Sequence, residues 1–414
     1  MSDTDPNLND WPVGGESRPN DPTSEHNDSS HITPPGTPTG EVLNVEPEPA
    51  DRLFSTPLDA LHRRLGGKMV PFAGYWMPVQ FGPGVLAEHN HTRTHASLFD
   101  VSHMGQLSLI GEGAAAALER MVPGEFQALK PGRQRYTLLL NEAGGIIDDL
   151  MVANYGDRLV VVANASRKEV DAHHIAEGLR GEAKLLQHPD RALLALQGPA
   201  AAGVMAALCP EAAALGFMGV VETQLGGIQA WISRSGYTGE DGFEISVHQD
   251  DAERLAVLLL EQPGVLPAGL GARDSLRLEA GLCLYGSDID ELTTPVEANL
   301  AWAIGKRRRE QGGFPGAVAV LDQLKHGPSR LRVGLRPEGR APARGLTPIA
   351  AADGTQAGTV TSGGFSPTLG APVAMGYVRR GLTEAGSRVD LVVRGKPLPA
   401  AVVPMPFVPT RYAK

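Results

Sequence analysis

Between Arg330 and Met405 the chain strings together LRVGL (331–335), GTV (358–360), VAMGYV (373–378) and VDLVV (389–393), with glycine- and proline-bearing turns between them. Each run is too short for a helix, and β-branched residues bounded by turn formers read as strands of a small all-β domain. Upstream, GKRRREQGGFPG (305–316) is basic and glycine-rich and reads as a connector. Before it the patterns are mixed. RLVVVAN (158–164) and GGIQAWIS (226–233) read as strands, whereas Lys168–Glu177 and Asp250–Leu260 carry apolar residues at the three-to-four spacing of amphipathic helices, with a third helix over Ala272–Gly281. The fold class is therefore α+β, with a mixed region over 51–310 and a C-terminal β-barrel-like domain over 325–412.

The bulk numbers narrow the function. With 414 residues the chain exceeds one ordinary domain, and 50 glycines with 33 prolines imply many tight turns rather than a helical bundle. Two cysteines cannot frame a disulfide scaffold, so a reduced protein is expected. Residues 1–50 hold ten acidic side chains and one basic one, Arg18, which accounts for nearly all of the net charge of −10. The remainder is close to neutral and has no global field for nucleic acid. The polar, proline-rich segment 1–50 reads as a disordered extension; it is neither the Arg-rich pattern of an organelle presequence nor the apolar pattern of a secretory signal. Its composition favours a cytoplasmic protein. The apolar run Ala192–Cys209 is interrupted at Gln197, Gly198 and Pro199, so no membrane span is expected.

Most local motifs have plain readings. GEGAAA (111–116) mimics a dinucleotide loop but lacks the acidic residue about 20 positions on that would hold a ribose, so it reads as a strand-to-helix turn. His89, His91 and His95 in EHNHTRTH lack the glutamate of a zinc-protease helix and read as solvated or hydrogen-bonded side chains, with no metal. Cys209 and Cys283 sit in apolar settings and read as inert buried thiols.

Three polar residues in apolar company stand out. Asp100 in LFDVSHMGQ is either a cap on backbone N–H groups or a charge kept for use. Glu244, in GYTGEDGFEI, lies on a strand whose neighbours Phe243 and Ile245 face the other side. Arg273 opens a helix on which Asp274 and Arg277, three apart, can pair, leaving Arg273 for another partner, either Glu244 or a ligand.

Taken in order, KMVPFAGYWMPVQF, LFDVSHMGQ, NEAGGIIDDL, ALLALQGP, GYTGEDGFEIS, LGARDSLRLEAGLCLYGSDIDE, TTPVEANLAW, GKRRR, GTVTSGGFSPTL, VAMGYV and MPFVPTRY resemble the T-protein family, the aminomethyltransferases of the glycine cleavage system, over nearly all of Ser55–Tyr412. The resemblance implies three subdomains in a cloverleaf around a central folate cavity. It implies transfer of a one-carbon unit from the aminomethyl-lipoyl arm of H-protein to tetrahydrofolate, with release of ammonia and formation of 5,10-methylenetetrahydrofolate. Lipoylated H-protein and tetrahydrofolate are the implied partners, with no metal. It places the catalytic aspartate at Asp100, folate contacts at Glu244, Arg273 and Tyr412, and lesser contacts at Tyr237 and Arg411. Trp76 is expected to tune pterin stacking, and Lys306–Arg309 is a candidate patch for an acidic carrier. Alternative readings are a folate-dependent demethylase of a small methylated amine or sulfonium compound, and a non-catalytic folate-binding factor.

Overall fold

The computed structural model describes residues 53–413, so the segment 1–50 read as a disordered extension lies outside the described residues. Three open sheets and one closed barrel make up the β structure, with helices packed on the sheets. The architecture is α+β, as the sequence implied.

The barrel contains the strands Arg330–Pro337, Pro348–Ala350, Gln356–Ser366, Ala371–Arg379, Arg388–Val393 and Lys396–Val403. Closure leaves no free sheet edge, and its interior is filled by Val333, Leu335, Ile349, Val360, Val378 and Leu391. The helix Leu270–Glu279 docks on it through Arg277, which is 3% exposed and sits 2.8 Å from both Asp274 and Asp288. Asp288 also accepts from Ser362 on the barrel at 2.8 Å. The expected Asp274–Arg277 pair is therefore present and belongs to a larger buried clamp.

A six-stranded sheet includes Ala96–Asp100, Arg191–Gln197 and Gly242–His248. On the last of these, Phe243 and Ile245 are fully buried in the core while Glu244 points the other way, as alternation requires. A five-stranded sheet contains Arg133–Leu140, Ile146–Asn154, Arg158–Ala163, Gly105–Ile110 and Lys184–Gln187. The turn ahead of Ile146–Asn154 packs so closely that a Cβ on Gly145 would fall 1.8 Å from the Glu291 carbonyl oxygen, which explains the glycine pair in NEAGGII. A register shift between Leu139 and Leu140 leaves Leu139 opposite Asp148 and Leu138 opposite Asp149. Asp148 is fully buried there, whereas Asp149 reaches the cavity.

GEGAAA is the strand-to-helix turn expected, leading from Gly105–Ile110 into the helix Ala114–Glu119. GKRRR differs from the sequence reading: Lys306–Gln311 is helical, with Arg308 6% exposed. Its guanidinium donates to the carbonyls of Glu119 and Gly313, and Arg307 pairs with Glu119. Buried acceptors recruit this basic run, which composition alone had marked as linker.

Candidate active site

A cavity of about 660 Å³ opens where the sheets, the helix Leu270–Glu279 and the C-terminal segment meet. That volume is within the usual range for a small-molecule site, roughly 300–1,000 Å³. Of the residues the family resemblance marked, Glu244, Arg273, Tyr237 and Tyr412 line it; Asp100 and Arg411 do not.

Glu244 accepts from the Ser235 hydroxyl at 3.0 Å and otherwise faces the cavity. Arg273 sits 4.7 Å over the ring of Tyr237, whose hydroxyl donates to the Cys283 carbonyl and so anchors the ring. Its Nη1 is buried without a hydrogen-bond partner, and burial lowers its pKa while the Glu244 charge opposes that shift. No ion pair joins Arg273 to Glu244 among the described residues, so the two are not consumed by bridging each other. An acceptor-only carboxylate suits a polar ring bearing an amino group and a ring N–H, and the guanidinium with its orphaned N–H supplies a donor beside it. Tyr412 stacks on Phe217 with ring centroids 4.4 Å apart.

Asp100 and Arg411 are hydrogen-bonded within the fold. Asp100 Oδ2 accepts from Thr56 at 2.7 Å and lies 2.8 Å from His62 Nε2, while Oδ1 accepts from the Ser102 backbone N–H at 2.9 Å. Burial would raise its pKa, but His62, Ser102 and Thr56 together hold it at about 2. The Ser102 bond is the backbone contact of a cap, and the Asp100 charge also acts on His103, which lines the cavity. Arg411 Nη2 donates to the Arg93 carbonyl and to Glu240 Oε1, each at 2.6 Å, while its backbone N–H bonds to Gly239. It is a clip that holds the last residues, and hence Tyr412, against the cavity. Trp76 also lies off the cavity wall, paired with Pro71 in a hairpin; Phe72 and Ala73 line the wall instead.

Besides Glu244, the carboxylates of Asp149 and Asp274 also line the cavity, and Asp149 is the more enclosed by polar partners. It accepts from Asn164 at 2.7 Å and from the Tyr136 hydroxyl at 3.1 Å. Burial first, then the neighbouring Asp148 charge, pushes it up to about 7. The signal was in the sequence: two acids inside IIDDLMV are as out of place as Asp100 in its block. His103 also lines the cavity, is held neutral by burial that lowers its pKa to about 4, and has Nδ1 unpartnered. Cys283 is buried with its thiol pushed up to about 12, which is the inert state expected. His89 bonds Ser275 at 2.8 Å and Thr368 at 3.1 Å, and His91 stacks on His95, so all three histidines are held within the fold.

The barrel, the two larger sheets and the cavity between them form a multi-subdomain scaffold, and sequence and structural comparison assigns it. Residues 58–308 match the GCVT N-terminal domain and 330–409 the glycine cleavage T-protein C-terminal barrel domain. The chain belongs to the glycine cleavage T-protein family. It is 49% identical over 369 residues to the mitochondrial aminomethyltransferase of Gallus gallus, covering 87% of this chain and 94% of that one. A probable mitochondrial aminomethyltransferase of Schizosaccharomyces pombe is 46% identical over 368 residues, covering 87% and 95%. The crystal structure of glycine cleavage system aminomethyltransferase T from Bartonella henselae superposes with a TM-score of 0.83 at 45% identity, covering 87% of this chain and all of that one.

Proposed function

We propose that the protein is an aminomethyltransferase that passes the methylene of H-protein-bound S-aminomethyldihydrolipoyl to tetrahydrofolate, releasing ammonia. The observation that carries this reading is the cavity wall itself: a carboxyl poised near neutrality, Asp149, in the same cavity as Glu244 and Arg273. Tetrahydrofolate supplies the two ring and bridging nitrogens that take the carbon. Glu244 accepts from the pterin's amino and ring N–H groups, and Arg273, braced on Tyr237, supplies the donor opposite. Tyr412, held by Arg411, closes one side. In this reading two acids serve the reaction: Asp100, the aspartate of the FDVSHM motif, through its charge beside the cavity, and Asp149 at the cavity wall. As anions both stabilise positive charge developing on the transferred carbon, and Asp149 receives the proton that the closing nitrogen must lose.

Lipoylated H-protein is the proposed donor. Arg307 and Arg308 are engaged internally and Arg309 donates to the Ile304 and Ala301 carbonyls while staying exposed, so Lys306 and Arg309 are the exposed members of the basic run to meet it. No helix among the described residues is long and apolar enough to cross a membrane. Two free, buried cysteines suit a reducing compartment, for which we take the cytoplasm; cell fractionation tests that placement.

The deciding assay mixes the full chain with aminomethyl-loaded H-protein and tetrahydrofolate. Ammonia and methylenetetrahydrofolate should appear together. Their absence with both partners competent would reject the reading.

A further inference from the structure

His103 lies in the turn between the strands Ala96–Asp100 and Gly105–Ile110, is 3% exposed and lines the cavity. Phe72 meets its ring edge-on with centroids 5.6 Å apart, and Tyr75 flanks it at 6.4 Å. Packing thus fixes the plane of the imidazole. Nδ1 is sealed off without a partner, and no described residue bonds Nε2, the ring nitrogen left to meet the cavity. Buried polar groups are normally hydrogen-bonded, so this nitrogen is satisfied by what enters the cavity.

The charges around the ring set its chemistry. Those facing it are Asp100 on its own strand, Arg273 on the helix Leu270–Glu279 and Lys168 on the helix Lys168–Leu179. The Tyr75 hydroxyl, which accepts from the Lys168 amine, completes the surroundings. Burial lowers the His103 pKa to about 4 against the pull of the Asp100 charge, and Arg273 and Lys168 add to the drop. At neutral pH the ring is therefore uncharged, and a fixed carboxylate stands ready to stabilise it when it takes a proton.

Aminomethyl transfer contains a step that needs such a group. When the ring nitrogen of tetrahydrofolate bonds to the transferred carbon, it becomes positively charged and still carries its hydrogen. The amine on that carbon leaves as ammonia only after gaining a proton. Direct passage between two nitrogens on one carbon would close a small strained ring, so a separate carrier is required.

We propose that His103 is a catalytic residue that carries this proton: Nε2 accepts it from the attacking ring nitrogen and returns it to the departing amine. The inference rests on the aminomethyl-transfer reading. Bonds and protons balance. The electron pair of the carbon–sulfur bond stays with sulfur, and the new carbon–nitrogen bond uses the lone pair of the ring nitrogen. The proton of that nitrogen leaves with the ammonia. The proton lost by the bridging nitrogen, received by Asp149, neutralises the sulfur anion. His103 ends the cycle neutral, as it began.

The test uses the full chain with aminomethyl-loaded H-protein and tetrahydrofolate. In His103→Asn, kcat should fall about 100-fold or more, while the dissociation constant for tetrahydrofolate, read by calorimetry, stays close to wild type. Rapid quench should show free lipoyl thiol appearing ahead of ammonia in the variant and together with it in wild type. Small imidazoles added to His103→Ala should restore turnover, and more strongly the more basic the imidazole, an ordering that filling of space does not produce. A kcat close to wild type, or a loss confined to tetrahydrofolate affinity, overturns the proposal. Should neither variant fold, nitrogen-15 spectra of histidine-labelled wild type still decide. His103 is the histidine lining the cavity among the described residues, so a neutral ring signal at pH 7 should shift when tetrahydrofolate is added. An imidazolium signal there, or no response, refutes the proposal. If wild type itself releases no ammonia, the functional reading fails and this role with it; if wild type turns over and the variants match it, only the role of His103 falls.

Discussion

The side-chain amide of Asn164 donates to Asp149 Oδ1 at 2.7 Å, and the same nitrogen reaches Asp148 Oδ1 at 2.8 Å. One amide thus ties the acid at the cavity wall to the acid behind it. Replacing Asn164 with Leu removes a donor to each, and a hydrogen bond to a charged group contributes about 1.5–3 kcal/mol. A fall in kcat of roughly 10–100-fold is expected, with the KM for tetrahydrofolate nearly unchanged. Steady-state kinetics with saturating H-protein checks the split.

Asp149→Asn should trade activity for stability. Because the folded-state pKa is raised from 3.8 to about 7, the folded protein binds this proton more tightly than the unfolded chain does. Stability is therefore lost as pH rises from about 4 through 7, and the asparagine variant escapes that loss. At pH 8 it should be more stable by about 1–3 kcal/mol, since each tenfold difference in proton affinity between folded and unfolded chain is worth about 1.4 kcal/mol and Asp148 takes part of the effect. Turnover should fall by roughly 10²–10⁴, the usual weight of a proton-transferring group. Urea unfolding at pH 5 and pH 8, alongside the coupled assay, measures both; equal turnover would remove Asp149 from the chemistry.

Asp100 gives the opposite pattern. Its folded pKa is depressed to about 2 from 3.8, so the stability it contributes is fully present above about 4 and disappears as pH falls toward 2. Removing one partner of a buried charged pair costs about 3–5 kcal/mol. Asp100→Asn retains the shape and should fall at the low end of that range, while folate affinity in the folded fraction stays close to wild type. Turnover of the folded fraction should fall as well, and unchanged turnover there would remove Asp100 from the chemistry.

Arg273→Lys keeps the charge but loses the planar fork braced on Tyr237. The dissociation constant for tetrahydrofolate should rise about 10–100-fold, as expected when about 1.4–2.8 kcal/mol of polar contact is lost. Calorimetric titration reads it directly, with Glu244→Gln as the companion variant.

Arg411→Ala tests the clip. Loss of its bonds to Arg93 and Glu240 should free the segment carrying Tyr412, seen as faster proteolysis near the C-terminus and about tenfold weaker folate binding. Since Arg411 does not line the cavity, Arg411→Lys should restore much of the loss if the amine reaches Glu240.

Strands and turns were legible because their signals are local. The barrel could be read from alternating short runs and glycine punctuation, and the orientation of Glu244 from the two buried neighbours that flank it. Family motifs brought Glu244, Arg273, Tyr237 and Tyr412 to notice, and all four meet at the cavity. Asp100 and Asp149 show where local reading ends. Both are acids in apolar strands, and nothing nearby in sequence says that one meets His62, 38 positions away, while the other meets open space.

The sequence by itself determined the class of fold, the closed C-terminal barrel and the family, because periodicity, turn chemistry and ordered motifs need no knowledge of distant partners. Only the tertiary structure decided which carboxyl reaches the cavity, which is sealed as a cap, and which basic residues are spent inside. Those outcomes depend on donors and charges brought close by folding from remote parts of the chain. A side chain's protonation and availability are set by those neighbours and by the water they exclude.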